Sequence, residues 1–271
     1  MQHEAINGLV VRVRSAGDHD RYLSVLTAEQ GRITLLSNGS KSMRRGQMAV
    51  SQMYTYANFE FYRRSGLRVL KDGTPIQSFY GLSSSIDSLN LAAYFCDLAC
   101  ELTDEGEEAS DMLRLSLNSL YAVSGELYPQ ELIKGAFELR AAVLSGYAPD
   151  LDGCALCRGE AEEMYLDVMN GALLCADCLH KRGKNSRPMG AYDDIREADV
   201  LCPITPAVCA AMRYVSSASL SRLFAFELSD ADDLRAFASC AETYLLSHIG
   251  HGFETLNFYH SMKVPTKGTK Q

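Results

Sequence analysis

Leu9, Val11 and Val13 alternate with Val10, Arg12 and Arg14, a period of two that predicts a strand with one face toward a core. Ala16-Gly17-Asp18 reads as a turn, and Tyr22 to Thr27 as a second β-rich stretch. Glu29-Gln30-Gly31 predicts a hairpin turn before Arg32-Ile33-Thr34-Leu35-Leu36. After the Asn38-Gly39 breaker, Met53 to Tyr62 predicts a long aromatic strand. Alternation places Tyr54, Tyr56 and Tyr62 on one face and Phe59 and Phe61 on the other, with the phenylalanines in the core. Arg68-Val69-Leu70 and Pro75-Ile76 supply a last short strand. Five short strands in so few residues predict a small barrel, for which the five-stranded OB-fold is the natural candidate.

Near Ser83 the period changes. Ser83-Ser84-Ser85 is a capping cluster for a helix carrying Ile86, Leu89, Ala93, Cys96 and Cys100. Residues 103–109, acidic and containing Gly106, read as a loop. A second helix carries Met112, Leu115, Ser119 and Val123, with Leu113, Leu117 and Leu120 widening its apolar face. Pro129 suits the first turn of a third helix with Leu132, Ala136, Leu139 and Val143, which Gly146 and Pro149 stop. Residues 181–194 are polar and loop-like. Helical spacing returns from Pro206 through Val208, Met212 and Val215, then over residues 220–226 and 234–249. The expected architecture is α+β and multidomain. Residues 1–80 form the barrel domain and 81–271 a mostly α-helical domain with a four-cysteine zinc-binding insertion at 150–182.

Composition changes this picture in one respect. The net charge of −8 hides a division: residues 1–80 hold 11 Lys/Arg against 6 Asp/Glu, and the remainder 15 against 28. A barrel at +5 joined to a body at −13 points to a polyanion contact on the barrel. Nine cysteines without a signal peptide predict a reducing, cytoplasmic setting, where thiols bind metal or lie buried. Cys96, Cys100, Cys202, Cys209 and Cys240 stand in apolar contexts and read as small core residues. No apolar run is long enough to cross a bilayer.

Cys154, Cys157, Cys175 and Cys178 have the spacing C-x₂-C-x₁₇-C-x₂-C of a structural zinc site. Four thiolates complete a tetrahedron around one Zn²⁺ and leave no position open for water, so the implied chemistry is architectural. Tyr165-Leu166-Asp167 and Ala172-Leu173-Leu174 predict a short hairpin between the pairs, with Asn170-Gly171 at its turn. Nucleotide-binding glycine loops and the H-E-x-x-H pattern are missing from the sequence, so an enzyme is not expected. The candidate nucleic-acid contacts are cationic and aromatic. Lys41, Arg44 and Arg45 stand in a Gly/Ser-rich loop, Arg32 begins the strand before it, and Arg63 and Arg64 end the aromatic strand. Cations follow phosphates while rings such as Tyr54 or Tyr56 stack on unpaired bases.

Gly17-Asp18-His19-Asp20-Arg21-Tyr22-Leu23 and Leu26-Thr27-Ala28-Glu29-Gln30-Gly31-Arg32 look like one pattern, an Asp-Arg pair followed by Leu-Thr and a Gly-Arg turn. Phe137-Glu138-Leu139-Arg140 and Leu144-Ser145-Gly146-Tyr147-Ala148-Pro149-Asp150-Leu151 lead into the first cysteine pair, and Tyr244-Leu245, His248, Phe253 and Thr255-Leu256 close the chain. From Leu9 to Phe258 the sequence resembles the RecO family of bacterial recombination mediators. The resemblance implies binding of single- and double-stranded DNA, annealing of complementary strands, partnership with RecR and the single-stranded-DNA-binding protein, and help in loading RecA. It implies a cytoplasmic, nucleoid-associated protein without covalent chemistry, and it matches Lys41, Arg44 and Arg45 to the family's basic loop. Two other classes stay open on the residues themselves: an RNA-binding or ribosome-associated zinc protein, and a protein adaptor whose barrel is only structural.

Overall fold

The first strand, β1 (His3–Ala16), is long because it serves two neighbours: its first half pairs with β4 (Thr55–Arg64) and its second with β2 (Asp20–Thr27), both antiparallel. In this computed structural model, which describes residues 3–16, 20–39, 45–184 and 200–263, β3 (Arg32–Ser37) and β5 (Leu67–Ser78) complete the ring. The strands are ordered β1-β2-β3-β5-β4 and close into a barrel. The expected alternation along β1 does not run unbroken. A bulge between Val10 and Arg12 switches its phase, so Val10 and Val13 both reach the barrel interior while Arg12 and Arg14 turn outward.

Inside lie Ile6, Leu23, Val25, Ile33, Leu35, Ala57, Phe59, Phe61 and Leu70. Phe59 and Phe61 are core residues, as the alternation predicts. β4 and β5 meet at Ser65-Gly66, both in the left-handed region (φ 49° and 80°), the conformation of a tight type I′ turn. The last strand, expected to be short, runs 12 residues from Leu67 to Ser78. Where only a loop is expected before β4, a single helical turn, α1 (Arg45–Val50), inserts Val50 into the barrel core. Its six residues are too short to show a helical period.

Helix α2 (Ile86–Glu101) starts at Ser85, whose hydroxyl accepts from the backbone N–H groups of Asp87 and Ser88. Its buried set is wider than expected, running from Ser88 through Leu91, Tyr94, Phe95 and Leu98 to Cys100, while Ile86 and Leu89 are exposed. The reason is packing on several sides: α2 contacts β1, α3 (Ser110–Ser124) and the C-terminal α8 (Glu254–Lys263). Tyr94 meets Phe253 edge-on at 5.6 Å, and the Asp97 carboxylate accepts from Arg12 (2.7 Å) and Thr255 (3.1 Å). The chain falls into two compact units, Met1–Gln130 with Gly252–Gln271, and Glu131–His251.

The second unit contains α4 (Gln130–Leu144), α6 (Pro206–Ser217), α7 (Ala231–Ile249) and a four-stranded ribbon of order β6-β8-β7-β9. Its strands are β6 (Asp150–Cys154), β7 (Met164–Asp167), β8 (Ala172–Cys175) and β9 (Leu201–Ile204), with α5 (Ala176–Lys184) after β8. The β7–β8 hairpin is the one expected. Residues 181–184, expected as loop, finish α5; the rest of that segment, to Asp194, lies outside the described residues.

Lys134 in α4 is 2% exposed, and its ammonium donates to Glu138 at 2.9 Å and to Glu242. Burial pushes the Lys134 pKa down, but the two carboxylates outweigh it and hold it above the ordinary lysine value. Its contribution to stability is therefore complete below the unfolded lysine value and disappears as pH rises through the higher folded one. Lys134→Met leaves Glu138 buried without its cation and is expected to cost about 3–5 kcal/mol in denaturant unfolding; the double change Lys134→Met with Glu138→Leu recovers most of that loss.

Candidate metal centre and nucleic-acid interface

The motif residues before the first cysteine pair route the chain from α4 into the ribbon. Gly146 (φ 90°) ends α4: its N–H donates to Val143 and that of Tyr147 to Ala142, the double bond pattern of a Schellman cap. The Tyr147 ring packs tilted against His248 at 4.8 Å, and His248 lies 4.4 Å from Tyr244. The Asp150 N–H then donates to Gly171 at 2.7 Å and opens β6. Gly171 (φ 60°) faces Tyr244, whose hydroxyl lies 2.8 Å from where a Cβ would stand, so a side chain there has no room. Arg140 donates to the carbonyls of Val215 and Ser216 at the end of α6, where cations are favoured.

Cys154 ends β6 and Cys157 follows in a tight knuckle, closed by Arg158 donating to the Cys154 carbonyl (2.7 Å) and Cys154 to Gly159 (2.9 Å). Arg158 itself is left-handed at φ 60°. Cys175 ends β8 and Cys178 sits in the first turn of α5. The four Sγ atoms lie within 4.8 Å of one another, with Cys157 and Cys175 at 3.8 Å. Thiolates about 2.3 Å from a tetrahedral Zn²⁺ stand about 3.8 Å apart, so the donor set fits such an ion. Burial pushes the Cys154 thiol up, but backbone N–H groups of Cys175, Cys157 and Leu156 outweigh it and hold it at about 6. The adjacent Cys175 thiol, and less strongly desolvation, push the Cys178 thiol up to about 12. Four close cysteines of this kind are able to hold a metal ion.

On the barrel, register places Arg14 opposite Tyr22, Tyr22 opposite Leu36, Leu36 opposite Val69 and Val69 opposite Tyr62. Directly opposed residues share a face, so these five form one outward strip across every strand. Tyr22 is 37% exposed and Arg14 is exposed beside it. Arg21 is exposed at the same pole, and Gly39 donates to the Asp20 carboxylate at 2.8 Å, so the basic segment leaves the barrel beside them. Lys41 and Arg44 lie outside the described residues; Arg45 begins α1, and its side chain lies outside them too.

The other candidate contacts are dispersed. Arg63 is tied to Glu4 at 2.8 Å, whereas Arg64 is exposed with no ion pair among the described residues. Tyr56 is half-buried on the outer face of β4. Tyr54 does not share that face: it precedes β4 with φ 62°, lines a cleft with Leu82 and Leu89, and burial together with Cys96 and Asp97 pushes its phenol up. Arg32 alternates with the interior Ile33 and Leu35 and so lies half-buried on the outer face of β3, and its N–H donates to Asp104 at 3.2 Å. The Leu-Thr…Gly-Arg pattern is thus a clasp. Gly31 (φ 57°) accepts from Thr27, and its absent Cβ would fall 1.9 Å from the Asp104 carbonyl. Arg14, Arg21 and Tyr22 were not singled out by spacing because their grouping depends on the β1 bulge; Tyr22 sits in the Asp-Arg-Tyr pattern but carries no distinguishing period.

A closed five-stranded barrel in a chain that also carries a ribbon with four cysteines able to hold a metal ion defines a two-part protein. The family described as "Recombination protein O N terminal" matches residues 1–79, and "Recombination protein O C terminal" matches residues 83–191. The chain is similar to the DNA repair protein RecO of Acetivibrio thermocellus, 25% identical over 264 residues that cover 97% of this chain and 98% of that one. It is 24% identical to the RecO of Clostridium kluyveri over 80% of this chain and 77% of that one, and 28% identical to that of Halalkalibacterium halodurans over 67% and 70%. The chain belongs to the RecO family of DNA repair proteins.

Cobalt(II) added to metal-stripped protein is expected to give the intense sulfur-to-metal absorption of a four-thiolate site. Cys175→Ser is expected to remove most of it, which absorption spectroscopy reads directly.

Proposed function

We propose that this chain is a non-enzymatic recombination mediator: it binds single- and double-stranded DNA on an OB-type barrel, anneals complementary strands and, with RecR, promotes loading of RecA onto DNA coated by the single-stranded-DNA-binding protein. The observation that carries the reading is the outward strip with exposed Tyr22 between Arg14 and Leu36, beside Arg21 and the departure point of the Lys41–Arg45 segment. In OB-folds the faces of the second and third strands and the adjoining loops take oligonucleotides. Tyr22 supplies a ring face for an unpaired base, and Arg14, Arg21, Lys41, Arg44, Arg45 and Arg64 supply charge along the phosphates. Two like-charged strands approach each other more easily when such cations displace their condensed counterions. Covalent chemistry has no part in this mechanism.

The four cysteines hold one structural Zn²⁺ in this reading. The ion supplies cross-linking: Cys154, Cys157, Cys175 and Cys178 fix the knuckle, the hairpin end and the start of α5 to a common point. The protein works in the cytoplasm at the nucleoid. Among the described residues no helix is long and apolar enough to cross a membrane.

The deciding experiment is annealing of complementary oligonucleotides pre-coated with the cognate single-strand-binding protein. Acceleration by the chain is expected, and an unaltered annealing rate defeats the proposal. Preference for RNA over DNA in competition would favour the ribosome-associated class, and no shift of labelled oligonucleotide at low salt would favour an adaptor. Tyr22→Ala is expected to weaken single-strand binding by about 1–3 kcal/mol without changing the salt slope. Replacing Lys41, Arg44 and Arg45 by Ala is expected to flatten that slope by up to about 2 units. Titrations over a range of salt concentrations check both.

A further inference from the structure

The cleft lined by Tyr54 has no part in the outward strip that carries Tyr22. It lies within the first unit, between α1, the start of β4, the end of β5, the 3₁₀ turn Tyr80–Ser84 and α2. Its volume is about 300 Å³, at the small end of the range for ligand sites. Two rings line it. Tyr80 is the most exposed of the large apolar side chains among the described residues, at 84%. Tyr54 is half-buried and left-handed at φ 62°, a conformation seldom taken by a bulky residue. Its N–H donates to the Val10 carbonyl at 3.0 Å, so β1 holds the strained turn that sets this ring at the cleft and out of the row of Tyr56 and Tyr62.

The rest of the lining selects the class of ligand. Leu82 and Leu89 make an apolar wall, and none of the described lining residues carries a formal charge. Gln52 is exposed and gives one amide N–H to the Met48 carbonyl at 3.2 Å, which leaves the remainder of its amide open. The Ser78 hydroxyl makes no hydrogen bond among the described residues. Burial, with smaller effects of Cys96 and Asp97, pushes the Tyr54 phenol up, so it stays protonated and able to donate. Ring faces to stack on, an amide and hydroxyls to meet polar edges, and no charge to demand a counter-charge suit one uncharged planar heterocycle. The segment carrying Lys41, Arg44 and Arg45 runs directly into α1, one wall of the cleft, so cations for flanking phosphates stand close to it along the chain. We propose, on the basis of the single-strand binding inferred above, that this cleft takes one unpaired nucleobase turned out of the strand and stacked against Tyr54 and Tyr80. A base within a duplex has its faces stacked and its edge paired, and so cannot enter without being extruded. The cleft therefore favours single strands over duplex, a distinction that cations on the phosphates do not make.

The test uses the full chain bound to an oligothymidine carrying 5-iododeoxyuridine, irradiated and mapped by peptide mass spectrometry. Cross-links are expected on Tyr54 or Tyr80. In Tyr80→Ala, where the side chain removed is largely exposed and the fold does not depend on it, single-strand affinity is expected to fall about 5- to 150-fold with the salt slope unaltered. Duplex affinity is expected to stay as it was. A wild-type chain that binds no oligonucleotide at low salt removes the single-strand reading and the cleft proposal together. Where the wild type does bind, three results overturn the cleft proposal alone: cross-links that spare both rings, unaltered single-strand affinity in Tyr80→Ala, or equal losses for single strand and duplex. An apolar side chain from a partner protein is then left as the occupant.

Discussion

The barrel closes because one strand is long enough to be both its beginning and its end. β1 pairs with β4 through its first residues and with β2 through its last, and the bulge at Val10/Arg12 lets both Val10 and Val13 face inward. Closed in this way, β1 leaves no free edge, and Leu9 and Val11 on its outer side are buried. The same bulge aims Arg12 at Asp97 and Arg14 beside Tyr22. One extra residue thus serves the core, the packing of α2 and the outward strip together.

The family's most recognisable motifs turn out to be joints. Gly31 admits the Asp104 carbonyl where a side chain could not stand, and the Arg32 N–H donates to the same carbonyl. Gly146 caps α4, Tyr147 packs on His248, Arg140 holds the end of α6, and Gly171 makes room for Tyr244. The four-thiol cluster, able to hold a metal ion, lies at the end of that route. The DNA-facing chemistry proposed for the barrel uses other residues, whose types are commonplace and whose value lies in where they stand.

Legibility followed locality. The cysteine knuckles were plain because ligand spacing is a local property of the chain. Phe59 and Phe61 were plain because strand alternation is local as well. The α2 face was read too narrowly, because burial by β1, α3 and α8 overrides the stripe expected of a helix with one covered side. Tyr54 was misplaced by a similar route: its positive φ breaks the alternation that put it beside Tyr56. Helix α1 escaped notice because six residues give no period, although Val50 completes the barrel core.

The sequence alone determined the barrel strands, the longer helices, the four-cysteine set and the family, since each depends on residues close along the chain or on motif identity. Only the tertiary structure decided which cations and rings share a surface. Arg14, Tyr22 and Leu36 become neighbours through strand register. Such pairings are long-range, and no local pattern records the register that creates them.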